Sequence, residues 1–135
     1  MAKIMLVEDA ADTRDLVTTI LEMAGHTVDF AVTGEEGIAK IQTLRPDVIL
    51  MDMSLPGKMS GLDAVHALRA DSAFDETPIL ALTAHALVDD RRRSLAVGCD
   101  EHITKPIFDL EEFAEIVSRY AEQGRKFAGR LANVE

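Results

Sequence analysis

Cysteine, long apolar runs and positive charge are all scarce in this sequence. Cys99 is the single cysteine among 135 residues, so no internal disulfide can form and a reducing compartment is expected. No apolar run approaches the length of a membrane-spanning helix, and Glu8 and Asp9 interrupt the first run too early for a signal peptide. The formal net charge of −10 argues against nonspecific binding to nucleic acid or to an anionic membrane. A soluble, cytoplasmic domain without membrane insertion is therefore expected.

Short apolar runs alternate with stretches of helical periodicity along the chain. The runs of strand character cover residues 3–7, 27–31, 48–51, 79–82 and 102–104. Helical patterns lie between and after them, and the weakest covers residues 89–97. Thr33, followed by Glu36, predicts a capping box at the start of the second helix. Such alternation is typical of βαβ units, so the predicted fold is α/β, with helices on both faces of a parallel sheet.

Reactive polar residues stand at the carboxyl ends of four predicted strands. Glu8 and Asp9 follow the first strand, Asp52 the third, Thr83 the fourth and Lys105 the fifth. Because open parallel sheets bind ligands beyond these ends, the five side chains are expected to share one pocket. Carboxylates held close together favour a hard divalent cation such as Mg²⁺, for which Mn²⁺ could substitute. A carboxylate can also be a nucleophile, so the pocket suits phosphoryl transfer.

Each of these residues has a simpler explanation when it is taken alone. Acids after a strand are often favourable charges at a helix N-terminus. Thr83 could cap the next helix, and Lys105–Pro106 could be a solvated turn. Asp52 is harder to explain in this way, because it directly follows an apolar run typical of a strand buried on both faces. The joint occurrence of all these residues favours a functional site.

In combination, the residues resemble the receiver domain of two-component response regulators, over residues 2–121. The resemblance depends on Glu8–Asp9, Asp52, Leu55–Pro56 with Gly61, Thr83–Ala84 and Lys105–Pro106. It implies a flavodoxin-like, doubly wound, five-stranded parallel sheet with strand order 2-1-3-4-5 and five helices. It also implies that Asp52 accepts a phosphoryl group from a phosphohistidine of a histidine kinase or phosphotransfer protein.

The same resemblance implies a role for each residue around Asp52. The ligands of Mg²⁺ would be Asp9, Asp52 and the backbone carbonyl of Ser54, with Glu8 in reach through water. The phosphoryl oxygens would be bound by Thr83, by Lys105 and by the backbone amides of Met53 and Ala84.

The loop after Asp52 departs from the family pattern. It holds one residue more than is typical, and we interpret Gly57 or Lys58 as an insertion. Ser60 also replaces the usual aspartate. Because this loop lies beside the expected phosphorylation site, the insertion is expected to affect kinase contacts or metal geometry.

Two histidines are further features of this chain. His102 stands where the family usually has Tyr or Phe, and we expect it to act as the switch residue that follows Thr83. Its charge can change near neutral pH, so pH-dependent signalling is a hypothesis, and a passive surface histidine is the alternative. His85 lies at a position that influences hydrolysis of the aspartyl phosphate, and we expect His85→Ala to shift that rate.

The expected function is a stand-alone response regulator that signals to an effector protein through the face formed by the fourth helix, fifth strand and fifth helix. Residues 122–135 are expected to extend the last helix or to fray, and no direct DNA binding is expected. The protein would catalyse only its own Mg²⁺-dependent phosphorylation and dephosphorylation.

Two alternatives to this function stay open. One is a Mg²⁺-dependent phosphohydrolase with Asp52 as nucleophile, although Ser54 replaces the second acid that such enzymes commonly have. The other is a pseudo-receiver scaffold that is never phosphorylated.

Overall fold

Five parallel strands form a single sheet in the computed structural model, which describes residues 1–84 and 87–127. The strands are β1 (Lys3–Val7), β2 (Thr27–Ala31), β3 (Val48–Asp52), β4 (Ile79–Thr83) and β5 (Glu101–Thr104). They are ordered β2-β1-β3-β4-β5, and every neighbouring pair is parallel. The strand order implied by the family resemblance is therefore confirmed.

Helices cover both faces of this sheet, as the alternating pattern predicts. The α-helices of the described residues are α1 (Ala11–Met23), α2 (Gly34–Leu44), α3 (Gly61–Arg69), α4 (Val88–Val97) and α5 (Leu110–Gln123). Apolar residues of α1 and α5 pack on one face, and those of α2 and α3 pack on the other. None of the helices in the described part of the chain combines the length and apolar composition that crossing a bilayer requires.

The central strands β1, β3 and β4 supply a large share of the core. All five residues of β3 and all five of β4 are buried. Along β1, Met5 and Val7 belong to the cluster beneath α2 and α3, whereas Ile4 and Leu6 belong to the cluster beneath α1 and α5. This alternation explains the uninterrupted apolar runs, because a strand covered on both faces needs apolar side chains on both.

Two strands extend one residue beyond the apolar runs that predict them. Asp52 pairs in register with Leu82, and Thr83 pairs with Thr104. Backbone pairing does not depend on side-chain polarity, so both polar residues lie inside the sheet. As a result, their side chains have the fixed directions of strand residues.

The N-terminus of α2 differs in part from the predicted capping box. The Thr33 hydroxyl accepts the Glu36 N–H at 3.1 Å, as predicted. The Glu36 carboxylate accepts the Val32 N–H at 2.9 Å and does not return to Thr33, so the second half of that prediction is wrong. Val32 follows the last residue of β2, where the pairing of the strands has ended. A reciprocal capping box is found instead at α3, between Ser60 and Asp63.

The segment after α5 folds back onto the body of the domain. The Arg125 guanidinium donates to the Asp100 carboxylate at 2.8 Å. The Phe127 ring packs edge-on against Tyr120, with 5.0 Å between ring centroids. Helix α5 ends at Gln123, and the structure describes the expected extension over residues 122–135 only as far as residue 127. Residues 128–135 lie outside the described residues.

Candidate functional site

The polar residues predicted from the strand ends lie together at the carboxyl edge of the sheet. The in-register pairing of β1, β3, β4 and β5 brings the ends of these strands level. The side chains of Glu8 and Asp52 are 0% and 3% exposed, and Thr83 is buried. The Lys105 N–H donates to the Thr83 carbonyl at 2.7 Å, which holds the end of β5 against β4.

Three carboxylates form the centre of the site. One oxygen from each of Glu8, Asp9 and Asp52 lies within 4.8 Å of the others. Burial, followed by the hydrogen bond and the charge of Glu8, raises the pKa of Asp52 above its ordinary value, although the Ser54 amide and the Lys105 charge oppose the shift. A raised pKa means that this carboxylate is poorly stabilised as an anion and has much to gain from a cation.

Lys105 is the counter-ion of the two buried carboxylates. Its ammonium donates to Glu8 Oε1 at 2.9 Å and lies 3.5 Å from Asp52 Oδ2. Burial by itself would lower the pKa of Lys105, but the bond to Glu8 and the charges of both carboxylates outweigh it and raise that pKa. Lys105 therefore stays charged, and its one ammonium pairs with a cluster that holds three carboxylates.

The backbone donors around Asp52 differ from the implied set. The Ser54 N–H donates to Asp52 Oδ1 at 2.9 Å, so this amide faces the carboxylate. The Met53 N–H donates instead to the Leu82 carbonyl at 3.0 Å, within the pairing of β3 with β4. That bond occupies the Met53 donor, and the Ser54 amide is the one placed to bind a group attached to Asp52.

The loop between β3 and α3 accommodates its additional residue on the α2 side. Gly57 has a φ of 92°, a conformation that favours glycine. Met59 lies over the first residue of α2, where a Cβ on Gly34 would be 3.0 Å from its Cγ. At the end of the loop, a Cβ on Gly61 would overlap the Asp52 carbonyl oxygen and lie 2.6 Å from the Met53 Cα. The part of the loop that we interpret as holding the insertion thus packs against α2, while α3 keeps its close approach to the end of β3.

His102 is buried and faces α4. It is 9% exposed, so it is not a surface histidine, and its role as the switch residue stays a prediction. Its Nδ1 lies 3.1 Å from the Ser94 hydroxyl, which donates in turn to the Asp90 carbonyl at 3.2 Å. A cavity of about 150 Å³ is lined by His102, Ser94, Thr83 and residues of the loop after Asp52. Thr83 and His102 thus border one common space.

The remaining predicted residues follow Thr83. Ala84 is exposed at the end of β4, next to the pocket. His85 lies outside the described residues, so its expected influence on hydrolysis of the aspartyl phosphate stays a prediction.

Two contributors to the site are missed by the sequence interpretation. Ser94 lies in a helix whose sequence pattern is mostly polar. Its role follows only from its contact with His102 in the folded protein. Arg14 donates to the backbone carbonyls of Glu8 and Asp9, both at 3.2 Å. A basic residue in the first turn after an acid pair is the signal that could have indicated the second contact.

The comparisons with known proteins agree with this geometry. The model of the response regulator receiver domain matches residues 4–118. The chain is 39% identical over 112 residues to the DNA-binding dual master transcriptional regulator RpaA of Synechocystis, a match that covers 83% of this chain and 46% of that protein. It is 36% identical over 113 residues to the phosphate regulon transcriptional regulatory protein PhoB of Pseudomonas aeruginosa, covering 84% and 49%. The chain thus spans about half the length of the curated relatives it matches.

Solved structures give the same result over almost their whole length. The chemotaxis response regulator CheY4 of Vibrio cholerae superposes with a TM-score of 0.81 at 36% identity, covering 88% of this chain and 98% of that one. The receiver domain of the sensor histidine kinase PA1611 of Pseudomonas aeruginosa PAO1, with a magnesium ion coordinated in its active site cleft, gives 0.82 at 32% identity, covering 90% and 98%. With its acidic cluster, its buried aspartate and its paired lysine at the shared sheet edge, this chain belongs to the response regulator receiver domain family.

Proposed function

We propose that Asp52 accepts a phosphoryl group from a phosphohistidine of a histidine kinase or phosphotransfer protein. Receiver domains are regulators rather than classical enzymes, so the only chemistry proposed is the protein's own phosphorylation and dephosphorylation. The observation that carries the proposal is the setting of the Asp52 carboxylate. It is buried, one oxygen accepts the Ser54 amide, and the other lies 3.5 Å from the Lys105 ammonium.

In the proposed reaction, an Asp52 oxygen attacks the phosphorus atom of the phosphohistidine. The P–N bond breaks, its electron pair returns to the imidazole, and an acyl phosphate forms on Asp52. We propose that the phosphoryl oxygens are bound by Lys105, by the Thr83 hydroxyl and by the Ser54 and Ala84 amides, of which Lys105 and the Ser54 amide already contact the Asp52 carboxylate. Positioning and charge stabilisation of this kind are the main needs of phosphoryl transfer.

The acidic cluster fits Mg²⁺. Its donors are all oxygens, they lie within 4.8 Å of one another, and their negative charge exceeds that of the single paired ammonium. We assign Asp9, Asp52 and the Ser54 carbonyl as ligands, with Glu8 acting through water, and Mn²⁺ as a substitute. When bound, the cation would offset the repulsion among the carboxylates and neutralise charge on a phosphoryl group.

The signal is proposed to pass through α4. A phosphoryl group on Asp52 would draw the Thr83 hydroxyl toward it, and His102 would move into the adjoining cavity. Because His102 contacts Ser94, this movement changes how α4 packs on the sheet. Apolar side chains that a partner protein could bind are exposed on α4, just before it and in the segment before α5, namely Leu87, Val88, Leu95 and Phe108.

The proposed partners are therefore proteins. RpaA is named as a DNA-binding regulator, and the match covers 46% of that protein. The net charge of −10 disfavours DNA contacts by this chain itself.

We also propose a cytoplasmic location, because Cys99 is a free and buried thiol.

Incubation with acetyl phosphate and Mg²⁺, followed by intact-mass measurement, tests the proposal. The expected result is one phosphate adduct in the wild type and in Asp12→Asn, a matched change at an exposed aspartate of α1. The adduct should be absent from Asp52→Asn. A wild type without an adduct would identify a pseudo-receiver, and steady turnover of phosphate esters would identify a phosphohydrolase.

A further inference from the structure

Arg14 connects α1 to the backbone of the acid pair. It lies in the first turns of α1, five residues after Asp9. One nitrogen of its guanidinium, Nη1, donates to the carbonyl oxygens of Glu8 and Asp9, each at 3.2 Å. We propose that Arg14 is a positioning residue that fixes the backbone around Asp9 and so aims the Asp9 carboxylate into the metal site. This inference rests on the proposed function, because it assumes that the acidic cluster binds Mg²⁺.

The two carbonyls bound by Arg14 belong to the peptide groups on either side of the Asp9 Cα. Peptide groups are planar, so holding both of them fixes the dihedral angles that set the direction of the Asp9 side chain. Asp9 is exposed, and packing constrains it little. The Glu8 carboxylate, by contrast, is held directly by the Ala10 N–H at 3.1 Å and by Lys105. Arg14 therefore matters most for Asp9, whose exposed carboxylate is little constrained by packing.

The Arg14 side chain is itself held by an aromatic ring. Its guanidinium carbon lies 4.8 Å from the centroid of Phe30, a cation–π contact. Phe30 is in β2, paired in register with Leu6 just before the acid pair. Its ring is thus placed beside the loop that Arg14 supports. A flat guanidinium can contact a ring and donate along its plane at once, whereas a lysine ammonium is a point charge with no such plane.

Geometry and charge predict opposite consequences for substitution of Arg14. A positive charge near a cation site weakens metal binding by repulsion, so a merely electrostatic Arg14 would act against Mg²⁺. Its removal would then strengthen binding, and Arg14→Lys would be neutral. A positioning Arg14 predicts weaker binding for both Arg14→Lys and Arg14→Met, because both lose the paired hydrogen bonds.

Calorimetric titration with Mg²⁺ alone, without any phosphodonor, separates these possibilities. We expect Arg14→Lys to raise the Mg²⁺ Kd about tenfold, the scale of losing hydrogen bonds from a charged group. Phe30→Leu should raise it by a smaller factor, because the guanidinium keeps its bonds but loses the ring. Arg92→Lys, an exposed change on α4, should leave Kd unaltered. Thermal unfolding of each variant without metal shows whether it is folded.

The acetyl phosphate reaction supplies a second readout. If Arg14 acts through the metal, saturating Mg²⁺ should restore the phosphorylation rate of Arg14→Lys to near the wild-type rate. A Kd within twofold of wild type in Arg14→Lys, or tighter binding in Arg14→Met, would overturn the inference. If the Arg14 variants do not fold, an unchanged Kd in Phe30→Leu overturns it.

The two proposals fail in different ways. A wild type that forms no phosphate adduct refutes the proposed function, whereas a wild type that binds no Mg²⁺ in the titration refutes this inference. A wild type that forms the adduct, together with Arg14→Lys that binds Mg²⁺ normally, refutes only the role of Arg14.

Discussion

The Lys105 ammonium is closer to Glu8, at 2.9 Å, than to the proposed phosphoacceptor Asp52, at 3.5 Å. Glu8 is fully buried and has Lys105 as its ion-pair partner. In the unphosphorylated protein, Lys105 therefore pairs with Glu8 and lies close to Asp52. A cation at the acidic cluster would take over part of this neutralisation and leave Lys105 available to a phosphoryl group.

Lys105→Met tests how much this pairing stabilises the fold. It leaves two buried carboxylates without their counter-ion, so we expect the free energy of unfolding without divalent cations to fall by about 2–3 kcal/mol near neutral pH. The loss should be smaller in mild acid, where protonation relieves the carboxylates. Urea denaturation measures it, and Lys40→Met, which removes a surface ion pair, provides the control. Equal losses in the two variants would contradict the assigned role of Lys105.

Asp52→Asn is expected to stabilise the metal-free protein. Burial and the neighbouring Glu8 raise the pKa of Asp52 above 3.8, so the folded state binds this proton more tightly than the unfolded state. The stability contribution is therefore complete below the unfolded pKa and is lost as pH rises through the folded pKa. Above that window, Asp52→Asn should have a larger free energy of unfolding than the wild type in urea denaturation. Wild-type and variant stability curves that stay parallel from acid to neutral pH would contradict this.

Mg²⁺ should remove most of that difference. A ligand that binds only the folded state stabilises it by mass action, by about 1.4 kcal/mol at ten times its Kd. We expect this gain in the wild type and expect it to be lost in Asp9→Asn, which removes a ligand of the cluster. Thermal unfolding with and without Mg²⁺ measures the effect. Comparable stabilisation of the wild type and Asp9→Asn would exclude the acidic cluster as the metal site.

Gly61→Ala should damage both stability and phosphorylation. The new methyl group would overlap the Asp52 carbonyl, so either β3 or the start of α3 must shift. We expect a loss of about 1–3 kcal/mol in the free energy of unfolding and slower reaction with acetyl phosphate. Gly25→Ala is the matched comparison, since its Cβ would meet no atom within 4 Å and only the backbone strain at φ 95° remains. If Gly25→Ala slows phosphorylation equally, the slowing does not come from the contact with Asp52.

His102→Ala tests the switch. If His102 transmits the state of Thr83 to α4, phosphorylated His102→Ala should bind the partner protein with clearly altered affinity. Ser94→Ala should show a smaller change, because it removes only the hydroxyl that contacts Nδ1. The comparison is made with Asp52 fully phosphorylated in every variant, so that only the response to phosphate is measured. Equal affinities of wild type and His102→Ala would remove His102 from the mechanism.

The sequence predicts strand positions well because polar residues interrupt apolar runs near the ends of buried strands. It errs by one residue at Asp52 and Thr83, where backbone pairing continues through a polar side chain. It assigns the wrong amide at Met53, because the direction of a strand N–H follows from pairing with a neighbour that is distant in the chain. The burial of His102 against Ser94 depends on how α4 lies over β5, and local periodicity carries no information on that packing.

The helix that covers His102 has a single buried residue, Ser94, and this residue is polar. The central strands β3 and β4, by contrast, are buried along their whole length. Strand β5, next to β4, has four residues and lies at the edge of the sheet. Resistance to displacement is therefore unequal around the site. We expect a charge added at Asp52 to displace the element that has the fewest apolar contacts to break, so α4 should move while the acidic side keeps its shape.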